Sequence, residues 1–203
     1  NTRKPNGWMG KLMVNGMNQG HAAVSDWGLS YFPDVPGAAH SMLADFGCGG
    51  GRNTAELLKR FPEARVTALD YSKVACDKTK QFNRNEVQAG RCNVVQGDVS
   101  RLPFEAATFD VITAFETVYF WPGPVESFQE VWRVLKPGGT FMIVNESDGP
   151  KQADEKWTDI IDGMRIFTQE RLTQYLKDAG FSQIAAHVNR KQHWICLLAE
   201  KAR

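Results

Sequence analysis

The chain has 203 residues, a length that calls for one domain of ordinary size and excludes a second full one. Hydrophobic residues at 42% and charged residues at 23%, with 18 Gly and 9 Pro dispersed rather than periodic, exclude collagen-like, coiled-coil and disordered chains. With 24 Lys+Arg against 23 Asp+Glu the formal charge is +1, which supplies no broad field for a phosphate backbone, so no nucleic-acid partner is expected.

In chain order, the first 40 residues carry Trp8, Met9, Met13, Met17, His21, Trp27, Tyr31 and Phe32 without strand alternation. They read as one or two helices over the sheet's edge: a helical lid or cap spanning 1–40, with the main domain over 41–203. From residue 41, short apolar runs alternate with segments of helical period, the pattern of parallel strands joined by crossover helices. Met42 to Phe46, Arg65 to Leu69, Cys92 to Val95, Phe109 to Ala114 and Thr140 to Asn145 are predicted strands. Asn53 to Arg60, Lys73 to Asn83 and Val125 to Leu135 are predicted helices. The last has Pro124 suited to its first turn and Pro137-Gly138-Gly139 to stop it. Thr168 is expected to cap a helix through Leu176 that stops near Gly180. Phe181 to Val188 and His193 to Glu200 then form a closing hairpin.

The strongest local signal is Leu43-Ala44-Asp45-Phe46-Gly47-Cys48-Gly49-Gly50-Gly51-Arg52-Asn53, an apolar strand running through a glycine-dense turn into a helix. Glycine belongs there because the backbone must turn tightly and leave no Cβ between itself and a ligand. A dinucleotide fingerprint needs a third glycine where Arg52 stands, and a P-loop needs a Gly-Lys-Ser/Thr that does not follow.

Gly47-x-Gly49-x-Gly51 after an acidic strand residue instead resembles motif I of the class I S-adenosylmethionine-dependent methyltransferases, of the small-molecule type. Val66 to Ser72 resembles that family's second strand, with Asp70 standing 19 residues after Gly51. Gly97-Asp98, Leu102-Pro103-Phe104, Phe109-Asp110-Val111-Ile112 and Arg133 to Gly139 follow in the family's order. The match covers about residues 41 to 146, with weaker agreement at the terminal hairpin. The resemblance implies an α/β, Rossmann-like fold: a seven-stranded, mostly parallel sheet with helices on both faces and a C-terminal antiparallel hairpin. Its implied cofactor is S-adenosyl-L-methionine, with the methionine part beside Asp45, Gly47, Cys48 and Gly49 and the ribose on Asp70. Tyr71 and Val99 would flank the adenine, Asp98 would accept from its amine, and Ser72 and Phe115 complete the expected set.

The segment Thr113 to Pro122 follows the fourth strand, at the sheet edge where open α/β folds bind ligands. It departs from the Asn/Asp-Pro-Pro-Tyr/Phe tetrapeptide of many amino-methyltransferases, which lowers the case for nucleobase and protein-glutamine acceptors. A small-molecule acceptor is expected, with Trp27, Tyr119, Phe120 and Trp121 as pocket candidates and His21, Glu116 and Glu146 as candidate bases. Cys48, Cys76, Cys92 and Cys196 form no C-x-x-C pair, and His40, His187 and His193 have no ligand-spaced partner, so no metal and no disulfide framework is expected. No apolar run reaches the roughly 20 residues of a membrane span, and the N-terminus lacks a signal peptide's apolar centre. A cytoplasmic protein without membrane partners is the expectation. The chain begins at Asn1 rather than Met, which is compatible with a lost upstream piece. The alternatives left open are an NAD-dependent oxidoreductase and a catalytically silent cofactor-binding module.

Overall fold

Strands that are apolar on both faces need cover on both, and the fold supplies it. The computed structural model describes residues 22–34, 40–147, 149 and 163–203. Seven strands make one sheet: β1 (Met42–Phe46), β2 (Arg65–Asp70), β3 (Cys92–Gln96), β4 (Phe109–Phe115), β5 (Leu135–Asn145), β6 (Gln183–Asn189) and β7 (Trp194–Glu200). Their spatial order is β3-β2-β1-β4-β5-β7-β6. The first five pair in parallel, while β7 pairs antiparallel with both β5 and β6. After β1 the chain builds outward through β2 and β3, then returns to β4 on the other side of β1. The carboxyl ends of β1 and β4 therefore flank the crevice where open α/β sheets take ligands.

The described helices are α1 (Ala22–Leu29), α2 (Arg52–Arg60), α3 (Lys73–Phe82), α4 (Arg84–Gln88), α5 (Pro124–Val134) and α6 (Gln169–Asp178). Capping follows the residue types: Ser72 accepts from Ala75 N at the start of α3, and Thr168 accepts from Arg171 N at the start of α6. On one face, Phe128 and Val131 of α5 and Leu172 and Leu176 of α6 pack with Ala44, Ile112, Phe141 and Ile143. On the other, Val24 and Leu29 of α1 and Leu57 and Leu58 of α2 pack with Leu43, Val111, Met142 and Val144.

Three local expectations change. β5 begins at Leu135, not Thr140: Leu135 pairs with Phe109 and Thr140 with Val111, so the residues between bulge out of register. Pro137 lies in that bulge, beside Gly138 at φ 77, where the lost ladder donor matters little. The helix expected over Lys73 to Asn83 stops at Phe82. Asn83 Nδ2 donates to Gly51 O at 3.0 Å and Thr79 O at 3.1 Å, and a separate short α4 follows.

The third change concerns the cap. α1 lies on the broad face rather than over an edge, with Val24 2% and Leu29 4% exposed. A Cβ on Gly28 would stand 2.5 Å from Val144 Cγ2, so helix and sheet touch backbone to side chain. The described part of the expected lid is thus packed as core. Residues 1–21 and 35–39 of that segment, His21 included, lie outside the described residues.

Candidate active site

The chain leaves β1 through Gly47-Cys48-Gly49-Gly50-Gly51 and enters α2. Gly47, Gly49 and Gly51 have φ of 80, 53 and 83, which side-chain-bearing residues avoid. Space separates their roles. A Cβ on Gly47 would lie 2.1 Å from Thr117 Oγ1, and one on Gly51 would lie 2.8 Å from the Thr79 Cα. A Cβ on Gly49 would meet nothing nearer than Gly47 O at 4.0 Å. Two glycines let protein close on the turn; the middle one borders open space.

The end of β2 holds the turn in place. Gly47 N and Cys48 N donate to Leu69 O at 2.7 and 3.1 Å. Asp70 Oδ2 accepts from Gly49 N at 3.0 Å, and Oδ1 accepts from Ser72 N at 2.8 Å. Burial pushes the Asp70 carboxyl up, while those two main-chain donors pull it back. Each oxygen retains acceptor capacity for a ligand hydroxyl.

Asp45 is placed differently. It is 1% exposed, accepts from Thr54 Oγ1 at 2.7 Å and from Thr113 Oγ1 at 3.2 Å, and is pushed by burial up to about 6. It ties β1 to α2 and β4, supporting the turn from behind. Cys48 is 6% exposed, receives a 3.4 Å contact from Thr79 Oγ1, and has its thiol raised by burial, the environment of a packing residue. Tyr71 is 49% exposed and Val99 is almost buried. Ser72 serves as the α3 cap. Asp98 Oδ1 accepts from both Ser100 N and Ser100 Oγ, at 2.9 and 2.8 Å. Phe115 is buried in the apolar cluster that includes Val24 and Leu29 of α1.

At the ends of β4 and β5, Glu116 adopts φ 55, donates its main-chain N–H to Val144 O at 2.9 Å and accepts at Oε1 from Glu146 N. Burial first, then the Glu146 charge, holds the Glu116 carboxyl well above the usual carboxylate range. Tyr119 hydroxyl accepts from Ser147 N at 3.3 Å and is likewise raised by burial. Glu146 is exposed. The expected aromatic wall divides: Phe120 is half-buried and edges onto Tyr119, but Trp121 stacks on Phe141 at 5.9 Å inside the core. Trp27 is half-buried and packs against Tyr31, Trp194 and the apolar cluster on the α1 side of the sheet.

Sequence reading passed over the hydroxyls and the amide that brace this site: Thr54, Thr79, Asn83, Thr113 and Thr117. Thr113 carried a signal, a lone hydroxyl inside Val111-Ile112-Thr113-Ala114-Phe115. The donor set suits adenosylmethionine. Asp70 offers a carboxylate acceptor and Gly49 leaves room for the ligand, while Arg52 is engaged with Asp26 Oδ1 at 2.6 Å and Asn53 Oδ1 at 3.2 Å.

Residues 44–143 match the family model described as a methyltransferase domain. Cycloartenol-C-24-methyltransferase 1 of Oryza sativa subsp. japonica is 33% identical over 151 residues, covering 70% of this chain and 44% of that protein. The malonyl-[acyl-carrier protein] O-methyltransferase of Herminiimonas arsenicoxydans is 28% identical over 160 residues, covering 77% and 58%. The chain thus spans about half the length of these relatives. A chain from the Haloferax volcanii complex of the Trm112 methyltransferase activator with a methyltransferase superposes at TM-score 0.83. It is 18% identical over 94% of both chains, which speaks to the fold. With the methyltransferase-domain match and the β3-β2-β1-β4-β5-β7-β6 sheet, the chain belongs to the class I S-adenosylmethionine-dependent methyltransferases.

Proposed function

We propose that this chain transfers a methyl group from S-adenosylmethionine to a small-molecule acceptor. The observation that carries the reading is the pairing of open space at Gly49 with Asp70, whose two oxygens are each only partly engaged. Asp70 accepts the ribose hydroxyls in this reading, and the Gly47–Gly49 backbone lies along the methionine part. Tyr71 and Val99 flank the adenine, and Asp98, with one oxygen given to Ser100, offers the other to the adenine amine.

When bound, the cofactor supplies a methyl carbon activated by a sulfonium, so positioning and desolvation provide much of the catalysis. The chain's task is to seat the acceptor at the β4 and β5 ends, beside Tyr119 and Phe120. An acceptor protonated at neutral pH also needs a base. Glu116 takes a proton only above its raised pKa; exposed Glu146 and His21 are the other candidates. The relatives' names point to a sterol and to a malonyl carrier-protein acceptor for those proteins, and a mainly apolar acceptor follows here by analogy. All four cysteines are buried free thiols, which fits a reducing cytoplasm. Among the described residues no helix is long and apolar enough to cross a membrane.

Calorimetry with adenosylmethionine, adenosylhomocysteine and NAD tests the site, and labelled adenosylmethionine with a metabolite extract tests turnover. Binding of the first two with a labelled product is expected. Binding without any product would leave a silent module, and no binding would overturn the proposal.

A further inference from the structure

Asn145 ends β5 with a fully buried side chain, and among the described residues neither its Oδ1 nor its Nδ2 has a hydrogen-bond partner. Buried carboxamides are rarely left so, because folding strips both atoms of water and returns nothing. Strand alternation puts Asn145 in the row of Phe141 and Ile143, where an aliphatic side chain would pack without penalty.

The surroundings are organised around this residue without satisfying it. Glu116 bonds to the residues on either side: its N–H donates to Val144 O at 2.9 Å and its Oε1 accepts from Glu146 N. Ser147 N is taken by the Tyr119 hydroxyl at 3.3 Å. The nearest main-chain groups are therefore spoken for. Glu116 adopts φ 55 in making its bonds, a strained backbone of the kind that persists where a site requires it.

We infer that Asn145 is a specificity-determining residue that reads a neutral hydroxyl on the methyl acceptor, which donates to Oδ1 and accepts from Nδ2. The inference rests on the methyltransferase reading above. A hydroxyl is the smallest group that satisfies both orphaned atoms at once; an ether satisfies only Nδ2. Neutrality follows from the neighbours, since burial pushes Glu116 and Tyr119 towards their uncharged forms and exposed Glu146 adds no positive charge that would hold an anion.

The test uses the full chain saturated with adenosylhomocysteine and two probes, 4-pentylphenol and 4-pentylanisole, which differ by one donor. Wild type should bind the phenol about tenfold or more tightly than the anisole, because a site built to pair a hydroxyl rejects the analogue that cannot donate. Asn145→Leu should erase that preference, leave adenosylhomocysteine affinity unchanged, and keep or raise the melting temperature of the ligand-free protein. Equal binding of both probes to wild type, no binding of either, or a preference surviving in Asn145→Leu would overturn the inference. A melting temperature lowered in Asn145→Leu would do the same, by showing a structural role. If adenosylhomocysteine itself fails to bind, the methyltransferase reading falls instead, and the ligand-free melting temperature still decides whether Asn145 is orphaned.

Discussion

At the β1–β2 end of the cleft, Asp70 accepts from Gly49 and Ser72, Asp45 from Thr54 and Thr113, and Asn83 donates to Gly51 and Thr79. At the β4–β5 end, Glu116 holds a strained backbone and the Asn145 side chain has no hydrogen-bond partner among the described residues. In the proposed reading, the first end is held in place by its own hydrogen bonds before any ligand arrives, with acceptor capacity left on each Asp70 oxygen for a cofactor of constant shape. In the same reading, the second end keeps polar capacity in reserve for an acceptor that must be recognised. The difference teaches that satisfied and unsatisfied polar groups mark different kinds of binding.

Substitutions in the glycine turn break the comparison most severely. Gly47→Ala forces a Cβ onto Thr117 at a positive φ, and urea unfolding should show a loss of about 2 to 6 kcal/mol. Gly49→Val meets open space instead, so its stability loss should be confined to about 1 to 3 kcal/mol of backbone strain while cofactor binding falls below detection by calorimetry. Normal binding by Gly49→Val would remove the turn from the site.

Asp70→Ala comes next. Losing a carboxylate that engages two hydroxyls should weaken adenosylhomocysteine binding about 30- to 1,000-fold, corresponding to about 2 to 4 kcal/mol. An unchanged dissociation constant would show that Asp70 only braces Gly49.

The third effect is a pH dependence. The Asp45 carboxyl is raised from 3.8 to about 6 in the folded chain, so the native state holds its proton more tightly than the unfolded state. Its contribution is most favourable below 3.8 and declines as pH rises through about 6, by about 3 kcal/mol at most. Asp45→Asn should flatten that part of the stability–pH profile measured by urea unfolding. A profile identical to wild type would mean Asp45 titrates at its ordinary value.

The smallest effect on folding is expected of Glu116→Gln, which keeps an acceptor for Glu146 N and should hold the melting temperature near that of wild type. Its signature is kinetic. If Glu116 is the base, wild-type methyl transfer climbs as pH rises through its raised pKa and the variant loses that climb. The same profile in both proteins would pass the role to Glu146 or His21.

The glycine turn, the place of Asp70 at the end of a strand, the run of strands and helices along the chain and the terminal hairpin were legible in the residues because each rests on contiguous chain. A positive φ, a strand-end carboxylate and a two-residue period are local demands, met by local residue choices. The bulge over 136–139 and the separate α4 were read less well, since Pro137 suggested a stop where β5 continues around it and Asn83 gave no sign of its bond to Gly51.

From its sequence alone, this chain was committed to a mostly parallel sheet, a glycine turn lacking the dinucleotide and P-loop fingerprints, and a carboxylate at the end of β2. Tertiary structure alone decided that Thr113 would support Asp45 from 68 residues away and that Thr79 would reach Gly49 from 30. It also packed Trp27 against the core and sent Trp121 into it, and it left the Asn145 side chain without a partner among the described residues after giving Val144 O and Glu146 N to Glu116. Such pairings depend on strand register, and register is set by burial of whole faces of the sheet, so no short stretch of sequence contains it.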